Sequence, residues 1–255
     1  MFTRRSLLKA GSTGLLAAHC SVCAADQPSR RTVGCLLAPE DADTIKSKAS
    51  PVWEYSISDA EAPILKSGNA MFDLALAQTL AKIAKAFDVL PSFAFYDDSG
   101  SPNAFATTRV TLDRTDGSVF FGLGFLKKMM SLPEAPEVAV ATVSAHEFGH
   151  IVQYKHNLID RVTAGQPTVK RCELQADYFA GYFSGLRKLQ NPDYPAAVAA
   201  VAQFSVGDTQ FTSPSHHGTP QERGAATARG FDASYREKKS LSDAIEESCN
   251  YVMTL

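Results

Sequence analysis

Residues 137–156 are apolar almost all round a helical wheel, with Val138, Val140, Val143, Phe148, Ile151 and Val152 distributed over every face. A helix that is apolar all round has to be buried, so this chain must fold with that segment inside and its other elements packed about it. Pro133 and Pro136 mark the start of the segment. Within it stand His146-Glu147-Phe148-Gly149-His150. Positions i and i+4 share one helical face, so both imidazoles can reach a single metal ion. Glu147, next to the first histidine, can point toward a water on that ion and take its proton.

A catalytic zinc site takes three protein ligands and keeps a fourth position open. His146 and His150 supply two. Glu173, in the segment Cys172-Glu173-Leu174-Gln175-Ala176-Asp177, supplies the third from a second helix predicted over 169–189. Asp177 stands one turn beyond Glu173. From there it can accept a hydrogen bond from the non-ligating nitrogen of a zinc histidine, His146 above all, fixing its tautomer and orientation. A lone His-Glu-x-x-His also arises in plain core helices. Here the Glu-x-x-x-Asp pattern that follows on another helix favours one Zn2+ per chain. Two neutral imidazoles and one carboxylate leave such a site net positive, which suits it to acidify a water.

The remaining segments surround the buried helix. Phe72, Leu76, Leu80, Ile83 and Phe87 recur at helical spacing and predict a helix over 69–88. Strands are predicted at 92–96, 103–110 and 118–121, with turn residues Asp97-Asp98-Ser99-Gly100 after the first. A short helix at 123–130 precedes the buried one. Helices over 196–204, 220–229 and 234–253 follow, and residues 207–219, rich in Gly, Ser, Pro and His, read as a loop. Strands early and helices late define an α+β domain over 67–255. Residues 26–66 read as an N-terminal arm with one short strand near Trp53-Glu54-Tyr55. The chain of 255 residues is 45% hydrophobic and 20% charged, enough to bury a globular core. Its net charge of -2 offers no basic footprint for a nucleic acid.

Residues 1–25 stand apart. Thr3-Arg4-Arg5-Ser6-Leu7-Leu8-Lys9, a mildly apolar middle and Ala24-Ala25 make an export signal of twin-arginine-like pattern. It implies a periplasmic or secreted protein. The apolar middle is too short for a membrane span, and no later segment qualifies. His19 stands where a lipoprotein signal places a small residue, which argues against lipid attachment at Cys20. Cys35, Cys172 and Cys249 remain beyond the signal, and an exported protein can form disulfides. Cys172 with Cys249 is a candidate bridge, and Cys172, pointing about 100° away from Glu173 on a helix, reads as structural and not as a ligand.

His-Glu-Phe-Gly-His followed by Glu173-Leu174-Gln175-Ala176-Asp177-Tyr178-Phe179-Ala180-Gly181 resembles the bacterial neutral zinc metallopeptidases, within the wider gluzincin group. In that group the third ligand is a glutamate followed four residues later by an aspartate. Asn103-Ala104-Phe105-Ala106, with Gly122-Leu123-Gly124 after it, is similar to the active-site edge strand of the CAAX-protease-type zinc peptidases. His217-Gly218-Thr219-Pro220-Gln221-Glu222-Arg223 resembles a His-Gly-Thr-x-x-Gln-Arg stretch of the neutral metallopeptidases. The resemblance implies a zincin-like fold with a small N-terminal sheet over the active-site helix. It implies that Asn103–Ala106 pair with an extended polypeptide substrate. It gives His217 and Arg223 the stabilisation of an oxyanion, with His216 an adjacent alternative to His217. The chain departs from the CAAX type in lacking membrane spans, and from the neutral metallopeptidases at Ile151, where another histidine often stands. Three functions follow as expectations: an exported zinc endopeptidase, a non-proteolytic binding or chaperone-like protein on a zinc scaffold, and a zinc amidase for cell-wall peptides.

Overall fold

The structure is a computed structural model that describes residues 67–98, 102–110, 114–213 and 215–255. The predicted export signal, the arm and its strand at 53–55 lie outside these residues. Helix α1 (Ala70–Phe87) leads into three strands, β1 (Ser92–Tyr96), β2 (Ala104–Thr107) and β3 (Ser118–Gly122). Helices α2 (Leu123–Met130) and α3 (Pro136–Lys155) follow. Beyond them come α4 (Ile159–Thr163), α5 (Lys170–Gln190), α6 (Ala197–Phe204), α7 (Pro220–Tyr235) and α8 (Leu241–Met253). A small early sheet and a helical second half make the domain α+β, as the order of predicted elements implies.

The sheet order is β1-β3-β2, with β1 parallel and β2 antiparallel to β3. Alternation along the strands places Phe93, Phe95, Val119, Phe121, Ala104 and Ala106 on one face, and all six join the core. Phe93, Phe95, Phe121 and Phe125 stack edge-on or obliquely, ring centroids 5.6–6.3 Å apart. Asp98, just after β1, accepts from the backbone N–H groups of Asn103, Gly124 and Phe125. One carboxylate thus ties the start of β2 to the N-terminus of α2, where unsatisfied donors and the helix dipole favour negative charge.

Among the described residues helix α3 is central, packed against α1, α2, α5, α6 and the strands β2 and β3. Its residues from Val138 to Gln153 are all buried, as an all-round apolar helix requires. Pro136 opens it at a position where the missing N–H costs nothing. Gly149 sets how closely α5 can approach: a Cβ there would lie 3.1 Å from Ala176 Cα and 3.2 Å from Phe179 Cβ. A glycine between the two metal-motif histidines therefore brings the helix of Glu173 and Asp177 against them.

Three expectations need correction. The second strand is shorter than 103–110, because only residues 104–107 pair with β3. Helix α7 runs on to Tyr235 and α8 begins at Leu241, whereas a break near 230 was expected. Gly230 is not a stop signal. It lies where α7 touches α5, and a Cβ there would meet the Tyr178 carbonyl oxygen at 1.8 Å. Cys172 and Cys249 are both free and buried, so the candidate bridge does not form. Cys172 Sγ donates to Gln153 Oε1, and Cys249 Sγ accepts from Gln175 Nε2. Among the described residues, no helix is long and apolar enough to cross a membrane.

Candidate metal centre

The His146 and His150 Nε2 atoms lie 3.2 Å apart. Glu173 reaches across from α5, its Oε2 3.4 Å from His146 Nε2 and its Oε1 3.6 Å from His150 Nε2. All three residues are buried, and their ligand atoms lie within 4.8 Å of one another. Atoms bonded to one tetrahedral zinc at 2.0–2.1 Å would stand about 3.3 Å from each other, close to the three separations seen here.

Hydrogen bonding decides which ring nitrogens face this cluster. His146 Nδ1 is 2.8 Å from Asp177 Oδ1, and His150 Nδ1 is 2.8 Å from Gln153 Oε1. Both partners are acceptors, so both Nδ1 atoms carry hydrogen and both neutral rings turn an Nε2 lone pair inward. Two lone pairs and a carboxylate converging in a buried space repel unless a cation joins them. The donor set therefore fits zinc, and its chemistry is that of a site with two imidazoles and one carboxylate.

The electrostatics agree. Burial alone would depress His146, but the hydrogen bond and charge of Asp177, with help from Glu173 and Glu147, lift its pKa to about 9. Burial drives His150 down to about 4 against the attraction of Glu173. Burial would raise Glu173, yet the His150 and His146 imidazoles hold it well below the usual carboxylate range. Without metal, the cluster draws a proton onto His146 to supply the missing positive charge.

Asp177 also accepts from Arg223, Nε to Oδ2 at 2.7 Å and Nη2 to Oδ1 at 2.8 Å. Burial alone would raise the pKa of this carboxylate, but the charge and hydrogen bonds of Arg223 and His146 together outweigh burial and lower it. Arg223 sits early in α7, whose start is fixed by a capping box in which Thr219 and Glu222 bond each other's backbone N–H. The resemblance placed Arg223 beside an oxyanion. The structure places its guanidinium on Asp177, and Arg223 also lines the cleft.

The cleft, of about 320 Å³, opens over His146 and Glu147. Pro102 and Asn103 before β2, Phe125 and Lys128 of α2, and Ser205, Val206, Gly207 and His217 between α6 and α7 line it. His217 lines it and His216 does not. A single carboxylate, Asp208, holds both: His216 Nδ1 is 2.6 Å from Oδ1, and His217 bonds Oδ2 through its backbone N–H and Nδ1 at 2.9 and 3.1 Å. Burial opposes ionisation of Asp208, but these bonds, that from the His217 backbone foremost, pull its pKa far down. Of the predicted edge-strand residues, Asn103 borders the cleft. Ala104, Phe105 and Ala106 are buried in β2, at the sheet margin.

Sequence reasoning passed over Gln153 and Asp208. The signal for Gln153 was an amide three residues beyond His150 on an otherwise apolar buried helix. Asp208 gave no signal, because only the folded loop brings it to His216 and His217. A family model described as "Putative neutral zinc metallopeptidase" matches residues 106–237, more than half of the chain and a span that includes every residue of the cluster. No curated protein and no solved structure gives a significant match. On the strength of that match and this geometry, the chain belongs to the neutral zinc metallopeptidase family.

Proposed function

We propose that the protein is an exported zinc endopeptidase in which Glu147 is the general base and polypeptide is the substrate. The observation that carries this reading is the convergence of His146, His150 and Glu173 on one buried point, with both imidazole tautomers set, beside Glu147 in an open cleft. Zinc, when bound by those three residues, would supply Lewis acidity toward water and a scissile carbonyl. Glu147 takes a proton from the attacking water and returns it to the leaving nitrogen. Asp177 keeps His146 turned inward, and Arg223 helps to keep Asp177 charged. His217, with Nδ1–H on Asp208, presents Nε2 to the cleft. The Asp208 carboxylate thus orients the ring toward the developing oxyanion. An extended peptide enters past Asn103, with Ala104–Ala106 supporting that wall as the margin of the sheet.

Digestion of a mixed peptide library by the zinc-loaded protein, read by mass spectrometry with and without chelator, tests the reading. Cleavage is expected from the wild type. Glu147→Gln is expected to keep its zinc and lose about 10²–10⁴-fold in turnover. Unimpaired cleavage by that variant removes the base assignment, and a zinc-loaded wild type that cuts no peptide removes the peptidase reading. Export rests on the Arg4-Arg5 pattern. Substituting both arginines by lysine is expected to hold the precursor in the cytoplasm, and undisturbed export would overturn the twin-arginine route.

A further inference from the structure

His150 differs from His146 in having an amide, not a carboxylate, on its Nδ1. An amide is ambiguous: one end accepts and the other donates, so something must decide which end Gln153 turns toward the ring. The bonds behind it decide. Ser248, on α8, donates its hydroxyl hydrogen to the Ile245 carbonyl at 2.7 Å. That leaves Ser248 Oγ an acceptor toward Gln175, whose Nε2 donates to it at 2.9 Å and to Cys249 Sγ at 3.2 Å. Gln175 must then turn Oε1 the other way, where it accepts from Gln153 Nε2 at 3.1 Å. Gln153 Nε2 also donates to the Cys172 carbonyl at 2.7 Å. Gln153 Oε1 is left facing His150 Nδ1, and a donated bond from Cys172 Sγ reinforces it.

Every member is fully buried, with exposure of 0% for His150, Gln153, Cys172, Gln175, Ser248 and Cys249. A reversed amide would set donor against donor or acceptor against acceptor and strand buried polar groups, which is costly. The order of donors and acceptors therefore runs one way only, from the backbone of the last helix to the histidine.

We infer that Ser248, Gln175 and Gln153 are positioning residues, a one-way hydrogen-bond relay through which the C-terminal helix α8 fixes His150 as the Nδ1–H tautomer and so aims its Nε2 lone pair at the metal point. The zinc part of this inference rests on the reading proposed above, and the tautomer part stands without it. A neutral amide also has a chemical consequence. It orients His150 without adding a further negative charge beside Glu173 and Asp177, so the centre keeps the net positive charge its chemistry needs.

Two readouts test the relay on the full chain: zinc affinity by chelator competition, and the His150 tautomer in the zinc-free protein from proton–nitrogen correlation spectra of histidine-labelled protein. The wild type is expected to show His150 with hydrogen on Nδ1. Gln153→Leu removes the acceptor and is expected to mix the tautomers and weaken zinc by about 10- to 100-fold. Gln153→Glu restores an acceptor and is expected to restore the Nδ1–H signature. The double variant Ser248→Ala/Cys249→Ala, which removes both acceptors of Gln175 and alters only α8, is expected to weaken zinc in the same direction by a smaller factor. It keeps the test open if Gln153→Leu does not fold. Wild-type His150 with hydrogen on Nε2, or zinc affinity unmoved in both Gln153→Leu and the double variant, overturns the relay. If no variant and no wild type binds zinc, the metal reading fails instead, and the tautomer spectra still decide the relay.

Discussion

Asp208 accepts hydrogen bonds from two neighbouring histidines, and only His217 faces the cleft. This arrangement separates a group that can touch substrate from groups that hold it. His217→Asn is expected to lower kcat on a cleaved peptide by about 10²–10³-fold with zinc content unchanged. Asp208→Asn is expected to lower kcat in the same direction but less, and His216→Asn least of the three. Initial rates at saturating peptide measure this, and an equal loss in His216→Asn would contradict the assignment. The sequence made His146, Glu147, His150, Glu173 and Asp177 legible because their spacing follows the helical repeat, and a helix converts spacing into a shared face without help from the rest of the fold. Gln153 and Asp208 were passed over for the opposite reason. Their partners come from α5 and from a loop whose path no local pattern specifies. Arg223 was found as a cleft residue, but nothing in the sequence says that its guanidinium also meets Asp177.

Helices α5 and α7 pack backbone to backbone through glycines. A Cβ at Gly181 would meet the Thr227 carbonyl oxygen at 1.8 Å, as one at Gly230 would meet that of Tyr178. This contact carries the site, because α5 brings Glu173 and Asp177 and α7 brings Arg223. Gly230→Ala should raise intrinsic helix propensity by about 1 kcal/mol. The overlap outweighs that gain, and a net loss of about 1–3 kcal/mol or more is expected in urea unfolding of the zinc-free protein. A more stable Gly230→Ala variant would contradict the packing. The same glycine shows why element boundaries were less legible than elements. The apolar periodicity of α1 and the all-round apolar run of α3 were visible in sequence, and so were the turn residues after β1. A glycine inside a helix, however, looks the same whether it ends that helix or admits a neighbour. The five-residue α4 is too short to show a period.

The buried titratable groups give the whole molecule a characteristic pH profile. His146, lifted to about 9 from 6.5, contributes stability that is present below about 6.5 and lost as pH rises toward 9. His150, lowered to about 4, works the other way, and its burial costs stability as pH falls from 6.5 toward 4. Glu173 and Asp177, both depressed, stabilise above the ordinary carboxylate range and lose that contribution as pH drops through it. The Tm of the zinc-free protein is therefore expected to peak near pH 6.5 and decline on both sides. Saturating zinc is expected to remove the alkaline decline by replacing the His146 proton; a decline that zinc leaves unchanged would contradict this. At this level the α+β order was readable from strands preceding helices, and the metal centre from two helices that had to meet. The closeness of their meeting depended on Gly149, whose role only packing reveals. The central claim is that two imidazoles of α3 and one carboxylate of α5 hold a single zinc ion. X-ray absorption at the zinc edge, with metal content measured on the same wild-type and Glu173→Gln samples, tests it most directly. One zinc per wild-type chain with nitrogen and oxygen neighbours, two of them imidazole, and weakened retention in Glu173→Gln, is expected. Sulfur in the coordination sphere, or full zinc retention after Glu173 and both histidines are substituted together, would contradict it.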